Sequence, residues 1–328
     1  MKPSRTVKAA RTTAILAAVL LAAAMTAHSA ETVVNLRAAA TTVTMPDGAV
    51  VTMWGYALGA GTVTVPGPAI SVPPGDTLRI NLTNNLSEGV SVMIPGQSMP
   101  LDGASTSPQV VRNPDGRIRS FTHETAPGQT ASYVWPSLKA GSYLYQSATH
   151  PAVQVQMGLY GALTHDQAAG TAYTGVPYDR SVTLVYSEID PALHAAVRDG
   201  VYGTAAYPST INYKPDYFLI NGVPYSATPP AFPTATTGQR VLLRLMNAGL
   251  QTHTPTLLGL YASLVAEDGN LYPQALDQYN VLLPAGKTID AVVVPNAVQK
   301  YPIYDHSLSL TNAATGPGGM LTYLNVTN

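Results

Sequence analysis

The sequence predicts an all-β protein built from two β-sandwich domains, and three observations favour this fold class. Short runs rich in Val, Thr, Tyr and Leu recur along the chain, and turn residues such as Gly, Pro, Asn and Asp separate them. Several runs alternate apolar and polar residues, as Thr77 to Leu82 does, which is typical of a strand with one buried face. Only Pro191 to Asp199 shows convincing helical spacing, through Leu193 and Val197. Short strands with turns between them indicate sandwiches.

The first thirty residues are predicted to be a secretory signal peptide. Basic residues precede an apolar run, Ala14 to Met25, and small residues follow up to Ala30. This run is too short to span a membrane, and no later segment reaches the ~20 apolar residues that a span needs. We therefore expect an exported chain, periplasmic or extracellular, without a membrane span.

The composition of the chain narrows the class of function. Charged residues make up 11% of the sequence and the formal net charge is -1, so no charge pattern favours binding to nucleic acid. The sequence contains no cysteine, which excludes disulfides and thiolate metal ligands. With 46% apolar residues in a chain of 328, a large core is expected to hold the fold together.

The predicted first domain covers residues 31–165. Expected strands lie at 33–43, 50–56, 62–65, 69–72, 77–82, 90–94 and 130–135, and a long polar loop occupies 97–119. The domain ends with a strand that carries Tyr143 and Tyr145, a polar turn with His150, and Met157. The run Gly158 to Leu163 is expected to return to the sheet.

A polar, Gly-rich segment at 166–178 is predicted to link the first domain to a second one at 179–328. Expected strands of the second domain lie at 182–186, 217–220, 240–247, 257–264, 281–283, 291–294, 307–310 and 320–326. A long loop rich in Tyr and Pro occupies 202–216.

An ordered set of motifs along the mature chain resembles the multicopper oxidase family. In the first domain the motifs are Pro66-Gly-Pro-Ala-Ile70, Pro74-Gly-Asp76, Asn81-Leu-Thr-Asn-Asn-Leu86, Asp102-Gly103, Pro127-Gly128-Gln129 and Gly141-Ser-Tyr143. In the second they are Leu219-Ile-Asn-Gly222, Leu243-Arg-Leu-Met-Asn-Ala-Gly249, Glu267-Asp-Gly269 and Pro284-Ala-Gly286. The resemblance implies two tandem cupredoxin-like Greek-key β-sandwich domains, with copper as the candidate cofactor.

Most of the copper ligands that the resemblance implies are missing from this sequence. The family uses four His-x-His pairs and a cysteine, whereas this chain has neither. Met93-Ile-Pro95 stands where the first pair belongs, and Gln146-Ser-Ala148 stands where the second belongs, with Ser147 at the cysteine position. The implied function is a multicopper-oxidase-like protein with degenerate copper sites, which serves as a binding or assembly component linked to an oxidoreductase system.

The alternative function is a copper-binding oxidoreductase with a non-blue mononuclear site at His150 and Met157. Imidazole and thioether groups bind Cu(I), and His123 and Met93 are the further candidate ligands from other strands. The competing interpretation makes His150 a hydrogen-bonded loop residue and Met157 a core residue.

Tyrosine is frequent, with 19 residues against 3 Phe and 2 Trp. Eight of them fall around the first corner and the long loop of the second domain: Tyr143, Tyr145, Tyr160, Tyr202, Tyr207, Tyr213, Tyr217 and Tyr225. Tyr combines apolar area with a polar tip, so these loops predict contact with a protein partner or with further copies of the chain. The other interpretation is packing in and beside the sheets. A purely structural surface protein is a third hypothesis.

Overall fold

A computed structural model describes residues 30–225, 232–314, 316 and 318–328, and it confirms the expected all-β fold. The predicted signal peptide, residues 1–30, lies outside the described residues except for Ala30. Nowhere in the described ranges is there a helix with the length and apolar character needed to cross a membrane.

The first sandwich consists of a four-stranded and a three-stranded sheet. Its elements are β1 (Glu31–Thr44), β2 (Val50–Leu58), β3 (Gly67–Val72), β4 (Thr77–Asn84), β5 (Val111–Arg112), β6 (Ile118–Ser120), β7 (Thr130–Trp135), β8 (Gly141–Gln146), α1 (Pro151–Met157) and β9 (Tyr160–His165). The four-stranded sheet has the order β2-β1-β4-β7, and the three-stranded sheet has the order β3-β9-β8. Leu78, Ile80 and Leu82 alternate along β4 and pack in the core with Trp135, as the sequence pattern predicts.

The second sandwich consists of a six-stranded and a four-stranded sheet, and a two-stranded hairpin precedes it. The elements are β10 (Thr171–Tyr173), β11 (Val176–Pro177), β12 (Arg180–Ile189), α2 (Pro191–Arg198), a 3₁₀ turn (Thr210–Asn212), β13 (Tyr217–Ile220), β14 (Thr234–Thr236), β15 (Val241–Asn247), β16 (Pro255–Leu257), β17 (Ala262–Glu267), β18 (Asn270–Gln278), β19 (Thr288–Val293), β20 (Lys300–Asp305) and β21 (Leu321–Thr327). The larger sheet has the order β13-β12-β15-β19-β17-β18, and the smaller one β14-β21-β20-β16. Strand β18 is therefore an edge strand.

A buried asparagine organises the turn after β4, which we call the Asn84 corner (residues 84–90 with Thr125). The amide of Asn84 donates to the carbonyl oxygens of Glu88 at 2.7 Å and Thr125 at 2.9 Å, and its oxygen accepts from Leu86 N at 2.8 Å. Val90 then forms an antiparallel bridge with Thr125. The side chain thus replaces the strand partners that the backbone loses at the turn.

The same turn recurs after β15, and we call it the Asn247 corner (residues 247–253 with Leu283). The amide of Asn247 donates to the carbonyl oxygens of Gln251 at 2.7 Å and Leu283 at 3.0 Å, and its oxygen accepts from Gly249 N at 2.8 Å. His253 bridges Leu283 as Val90 bridges Thr125. The two sandwiches therefore repeat one corner with the same spacing.

A buried polar network holds the two sandwiches together. The guanidinium of Arg244 on β15 is 2% exposed and donates to Ser142 Oγ on β8 at 3.0 Å and to Asp166 Oδ1 at 2.6 Å. Ser142 Oγ donates in turn to Asp290 Oδ1 on β19 at 2.6 Å. These hydrogen bonds cross from β8 of the first sandwich to β15 and β19 of the second, so separating the sandwiches would break them.

Several expected strands differ in the structure. Residues 62–65, 90–94 and 281–283 form isolated bridges instead of strands, and 307–310 is irregular. The segment after Ser147 contains helix α1, although only Pro191 to Asp199 was expected to be helical. The alternation Val-Gln-Val-Gln at 153–156 resembles a strand pattern, which explains the wrong expectation.

Candidate functional site

The stretch that was expected to carry metal ligands folds as strand β8, a short turn and helix α1. His150 caps the helix with φ 38° and ψ 60°, and Pro151 occupies its first turn, where a missing N–H costs nothing. Gly158 ends the helix with φ 120°, and a Cβ there would lie 2.1 Å from the carbonyl oxygen of Trp54. The close approach of α1 to β2 therefore requires glycine at this position.

Ser147 and Gln154 form a neutral hydrogen-bonded pair at the centre of this corner. Both are fully buried, and Ser147 Oγ donates to Gln154 Oε1 at 2.6 Å. Gln154 Nε2 donates to Glu88 Oε1 at 2.8 Å and to the carbonyl oxygen of Gly89 at 2.9 Å. The polar atoms of the pair are used up by contacts within the protein.

A cluster of buried hydroxyl groups continues the network from Ser147. Thr149 Oγ1 lies 2.9 Å from Ser91 Oγ and 3.0 Å from Ser120 Oγ, and it donates to Glu124 Oε1 at 3.2 Å. Glu124 in turn binds the guanidinium of Arg119 through both carboxylate oxygens. Hydroxyl groups are poor ligands for copper, which prefers imidazole, thiolate and thioether groups.

His150 and Met157 lie in different surroundings. The side chain of His150 is exposed, whereas Met157 is fully buried and packs with Val153, Leu193 and Ala196 between α1 and α2. Seven residues of helix also separate the two positions by about 10 Å along the helix axis. The placement of Met157 agrees with the core interpretation.

His123 and Met93 lie in two further surroundings. The His123 ring stacks on Tyr133 at 4.1 Å between centroids, and its Nε2 lies 2.9 Å from the carbonyl oxygen of Ser132. Burial lowers the pKa of His123, so the ring is neutral at neutral pH, and among the described residues its buried Nδ1 has no hydrogen-bond partner. Half-buried Met93 forms a backbone bridge with Gln146.

These residues do not fit the copper that the resemblance implies. His123 Nδ1 offers one lone pair to a metal, and one ligand does not make a copper site. The hydroxyl of Ser147 stands at the position of the thiolate, and apolar side chains enclose the thioether of Met157. In the part of the chain that the structure describes, no three His, Asp or Glu residues are grouped to hold a metal ion. The prediction of a metal site at His150, Met157, His123 and Met93 stays a prediction.

Two surface cavities meet beside the buried pair. One, of about 440 Å³, is lined by Glu88, Arg119, Glu124, Thr149, His150 and Gln154 among others. The second, of about 400 Å³, is lined by Glu88, His150, Pro151, Val153, Val197 and Tyr202 among others. Glu88 and His150 line both, so a polar and a largely apolar compartment share one wall.

Sequence reasoning missed a buried charged cluster at the Asn247 corner. His253 lies between two carboxylates: its Nε2 contacts Glu188 Oε1, and its Nδ1 lies 3.1 Å from Asp305 Oδ2. Burial alone would lower the pKa of His253, but the hydrogen bonds and charges of Asp305 and Glu188 outweigh it and raise that pKa to about 9. The ring is therefore an imidazolium at neutral pH. The one signal in the sequence is a lone Glu188 near the end of an apolar strand.

The tyrosines that were expected to form a contact surface are mostly buried. Tyr143, Tyr145, Tyr160, Tyr207 and Tyr217 are all less than 10% exposed, which agrees with the packing interpretation for these five. The exposed tyrosines lie elsewhere, at Tyr261 and Tyr279, whose rings are 6.2 Å apart between centroids.

Comparisons with known proteins agree with this architecture. Two solved structures from Nitrosomonas europaea share the fold: a blue copper oxidase, at TM-score 0.73 and 20% identity over 90% of this chain and 86% of that one, and a copper nitrite reductase, at TM-score 0.68 and 21% identity over 91% and 94%. Among curated proteins, the chain is 22% identical to a copper-containing nitrite reductase of Neisseria meningitidis over 86% of this chain and 66% of that protein. It is 24% identical to copper resistance protein A of Escherichia coli over 77% and 45%.

The chain spans about two thirds or less of the length of these curated relatives. Two family models, both described as multicopper oxidase, match residues 38–169 and residues 182–325. The matches follow the two sandwiches and together cover most of the chain, so this protein belongs to the multicopper oxidase family.

Proposed function

We propose that this chain is a multicopper oxidase relative whose copper sites are degenerate, and that it acts as a binding or assembly component linked to an oxidoreductase system. The observation that carries the proposal is the buried pair of Ser147 and Gln154. It fills the corner with a neutral hydroxyl and amide that satisfy each other at 2.6 Å. Copper bound there would have to break these contacts and would gain no thiolate or imidazole in return.

The exposed face of the second sandwich supports the assembly part of the proposal. Tyr261, Leu271 and Val294 line one cavity of about 590 Å³, and all three are more than 40% exposed. Tyr279 extends this apolar surface, because its ring lies 6.2 Å from that of Tyr261 between centroids and is also exposed. Contiguous apolar surface of this kind marks contact sites on soluble proteins. A protein partner or another copy of the chain would cover it.

The alternative remains a copper-binding oxidoreductase with a non-blue mononuclear site at His150 and Met157. The exposed imidazole of His150 beside Glu88 is the feature that favours it. For either function, the proposed setting is the periplasm or the extracellular space. Detection of a processed chain that lacks the first thirty residues, in the exported fraction, tests that setting.

Metal analysis after copper loading and dialysis decides between the two functions. We expect wild type and the His150→Ala variant to retain the same low copper content, well below one copper per chain. His306→Ala is the matched control, because His306 is an exposed histidine of the second sandwich. One copper per chain that is lost in His150→Ala and kept in His306→Ala would contradict the proposal and support the alternative.

A further inference from the structure

The two cavities around Glu88 and His150 form a bipartite site, and we propose that it binds a small organic cation with an aromatic or other apolar body. This inference deepens the proposed binding role and rests on it. The two compartments, of about 440 and 400 Å³, each fall within the size range of small-molecule sites. Both are bounded by Glu88 and His150, so the two compartments adjoin at these residues, and the proposed ligand contacts both there.

The polar compartment selects the charge of the ligand. Arg119 and Glu124 neutralise each other through a two-pronged contact, with Arg119 Nε 3.1 Å from Glu124 Oε1 and Nη2 against Oε2. The carboxylate of Glu88 accepts one hydrogen bond, from Gln154 Nε2 at 2.8 Å, and within the described residues it has no ion-pair partner at 4 Å or less. Arg119 also lies within electrostatic reach of Glu88, but the cavity holds two carboxylates, Glu88 and Glu124, against this one guanidinium. One negative charge is left over, and a cation is the ligand that complements it.

Glu88 is held in place by the fold and does not need the ligand to order it. Its carbonyl oxygen accepts from Asn84 Nδ2 at 2.7 Å, and its carboxylate is anchored by the fully buried Gln154. A glutamate whose backbone and side chain are both held by hydrogen bonds loses little conformational entropy when a ligand binds. The site is therefore preorganised for an ammonium group.

The apolar compartment selects the body of the ligand. Val153, Val197 and the ring of Tyr202 line it between α1 and α2, together with Pro151 and Ala152. Tyr202 is half-buried and presents a ring to the cavity that Glu88 also lines. Aromatic faces attract cations as well as apolar groups, so an arylalkyl ammonium ion matches both walls.

The test measures binding of 2-phenylethylamine, 2-phenylethanol and phenylacetate to the chelator-treated protein by calorimetry and ligand-observed NMR. These probes share the aromatic body and differ in charge. We expect the amine to bind with a Kd of about 1 mM or tighter, as ligand efficiency allows for so small a molecule. The alcohol and the acid should bind at least about tenfold more weakly. Equal binding of the three probes, or no binding of the amine, would overturn the inference.

Variants locate the binding. Glu88→Gln should weaken amine binding about tenfold or more, because a charged partner is lost while the hydrogen bond to Gln154 remains available. Ala152→Trp, at an exposed position of α1, should block the apolar compartment and weaken the amine and the alcohol alike. Glu31→Gln, at an exposed carboxylate of β1, is the matched control and should leave the affinity for the amine unchanged. Unchanged affinity in both Glu88→Gln and Ala152→Trp would show that the amine binds elsewhere and overturn the assignment.

Because the protein is stripped of metal, this result is independent of copper loading. If the wild-type protein binds neither the amine nor copper, only this inference is refuted, and the proposed function stands. Stoichiometric copper at His150 would refute the proposed function.

Discussion

The Asn84 corner and the Asn247 corner have the same backbone frame and opposite interiors. In each, an asparagine amide spans two carbonyl groups, and the residue six positions later bridges a neighbouring segment. That residue is apolar Val90 in the first sandwich and charged His253 in the second. The asparagine therefore sets the corner, whereas the residue six positions later can be apolar or charged.

The largest expected effect comes from making the second corner like the first. His253→Val should lower the free energy of unfolding by about 3–5 kcal/mol, because it leaves the carboxylates of Glu188 and Asp305 buried without the cation between them. Urea denaturation of the purified protein measures this loss.

A companion variant separates charge from packing. His253→Val combined with Glu188→Gln and Asp305→Asn removes the buried charges together, and it should be more stable than the single variant. If the single and the combined variant are equally stable, stranded charge is not the cause of the loss.

The buried imidazolium of the Asn247 corner should also make stability depend on pH. The folded pKa of His253 is about 9, above the ordinary value of about 6.5, so the folded state binds more protons than the unfolded state between these values. The contribution of His253 is complete below about pH 6.5 and is lost as pH rises through 9, which amounts to about 3 kcal/mol. Denaturation curves from pH 6 to 10 measure it. If the combined variant of His253, Glu188 and Asp305 keeps the wild-type dependence of unfolding free energy on pH, another group causes that dependence.

The two asparagines should be equally important, because their hydrogen bonds are the same. Asn84→Ala and Asn247→Ala should each cost about 2 kcal/mol, since one carbonyl group and one N–H lose their partner and a second carbonyl keeps only its backbone hydrogen bond. Asn35→Ala, at an exposed position of β1, should stay within about 0.5 kcal/mol of wild type. Thermal unfolding compares the stability of the three variants. A large loss of stability in only one of Asn84→Ala and Asn247→Ala would show that the two asparagines are not equally important.

The smallest effect is expected at the neutral pair beside α1. Gln154→Leu conserves most of the volume but removes the hydrogen bonds to Ser147 and Glu88, so we expect a loss of about 1 kcal/mol. Gln109→Leu, at an exposed loop position, serves as control. If Gln154→Leu is more stable than wild type, the hydrogen-bonded pair of Ser147 and Gln154 does not stabilise the protein relative to an apolar side chain.

Much of the fold follows from the sequence, and the site follows less well. Alternation along β4 and the Gly and Pro turns correctly predict strands and sandwiches, because these signals are local. The sequence does not predict helix α1, because its Val and Gln residues alternate with a period of two. The helical signals, Pro151 in the first turn and Gly158 at the end, lie only at its boundaries.

The contacts within the site join residues that are distant in sequence. His253 meets Glu188 and Asp305 across 65 and 52 residues, and Gln154 meets Glu88 across 66. No periodicity encodes such pairs, so composition could indicate missing copper ligands but not what replaces them.

The edge strand β18 limits the ways in which a partner can attach. Nearly all of its residues are exposed, and its outer edge is not paired within the described residues, which is the usual starting point for uncontrolled aggregation. Pro273 sits in the middle of this strand and has no N–H to offer an added strand. Continuous strand addition is thereby interrupted, while the side chains of Leu271 and Leu276 stay available. Within this one strand, the proline disfavours the backbone pairing that leads to fibres, whereas the exposed side chains can still contact a specific partner.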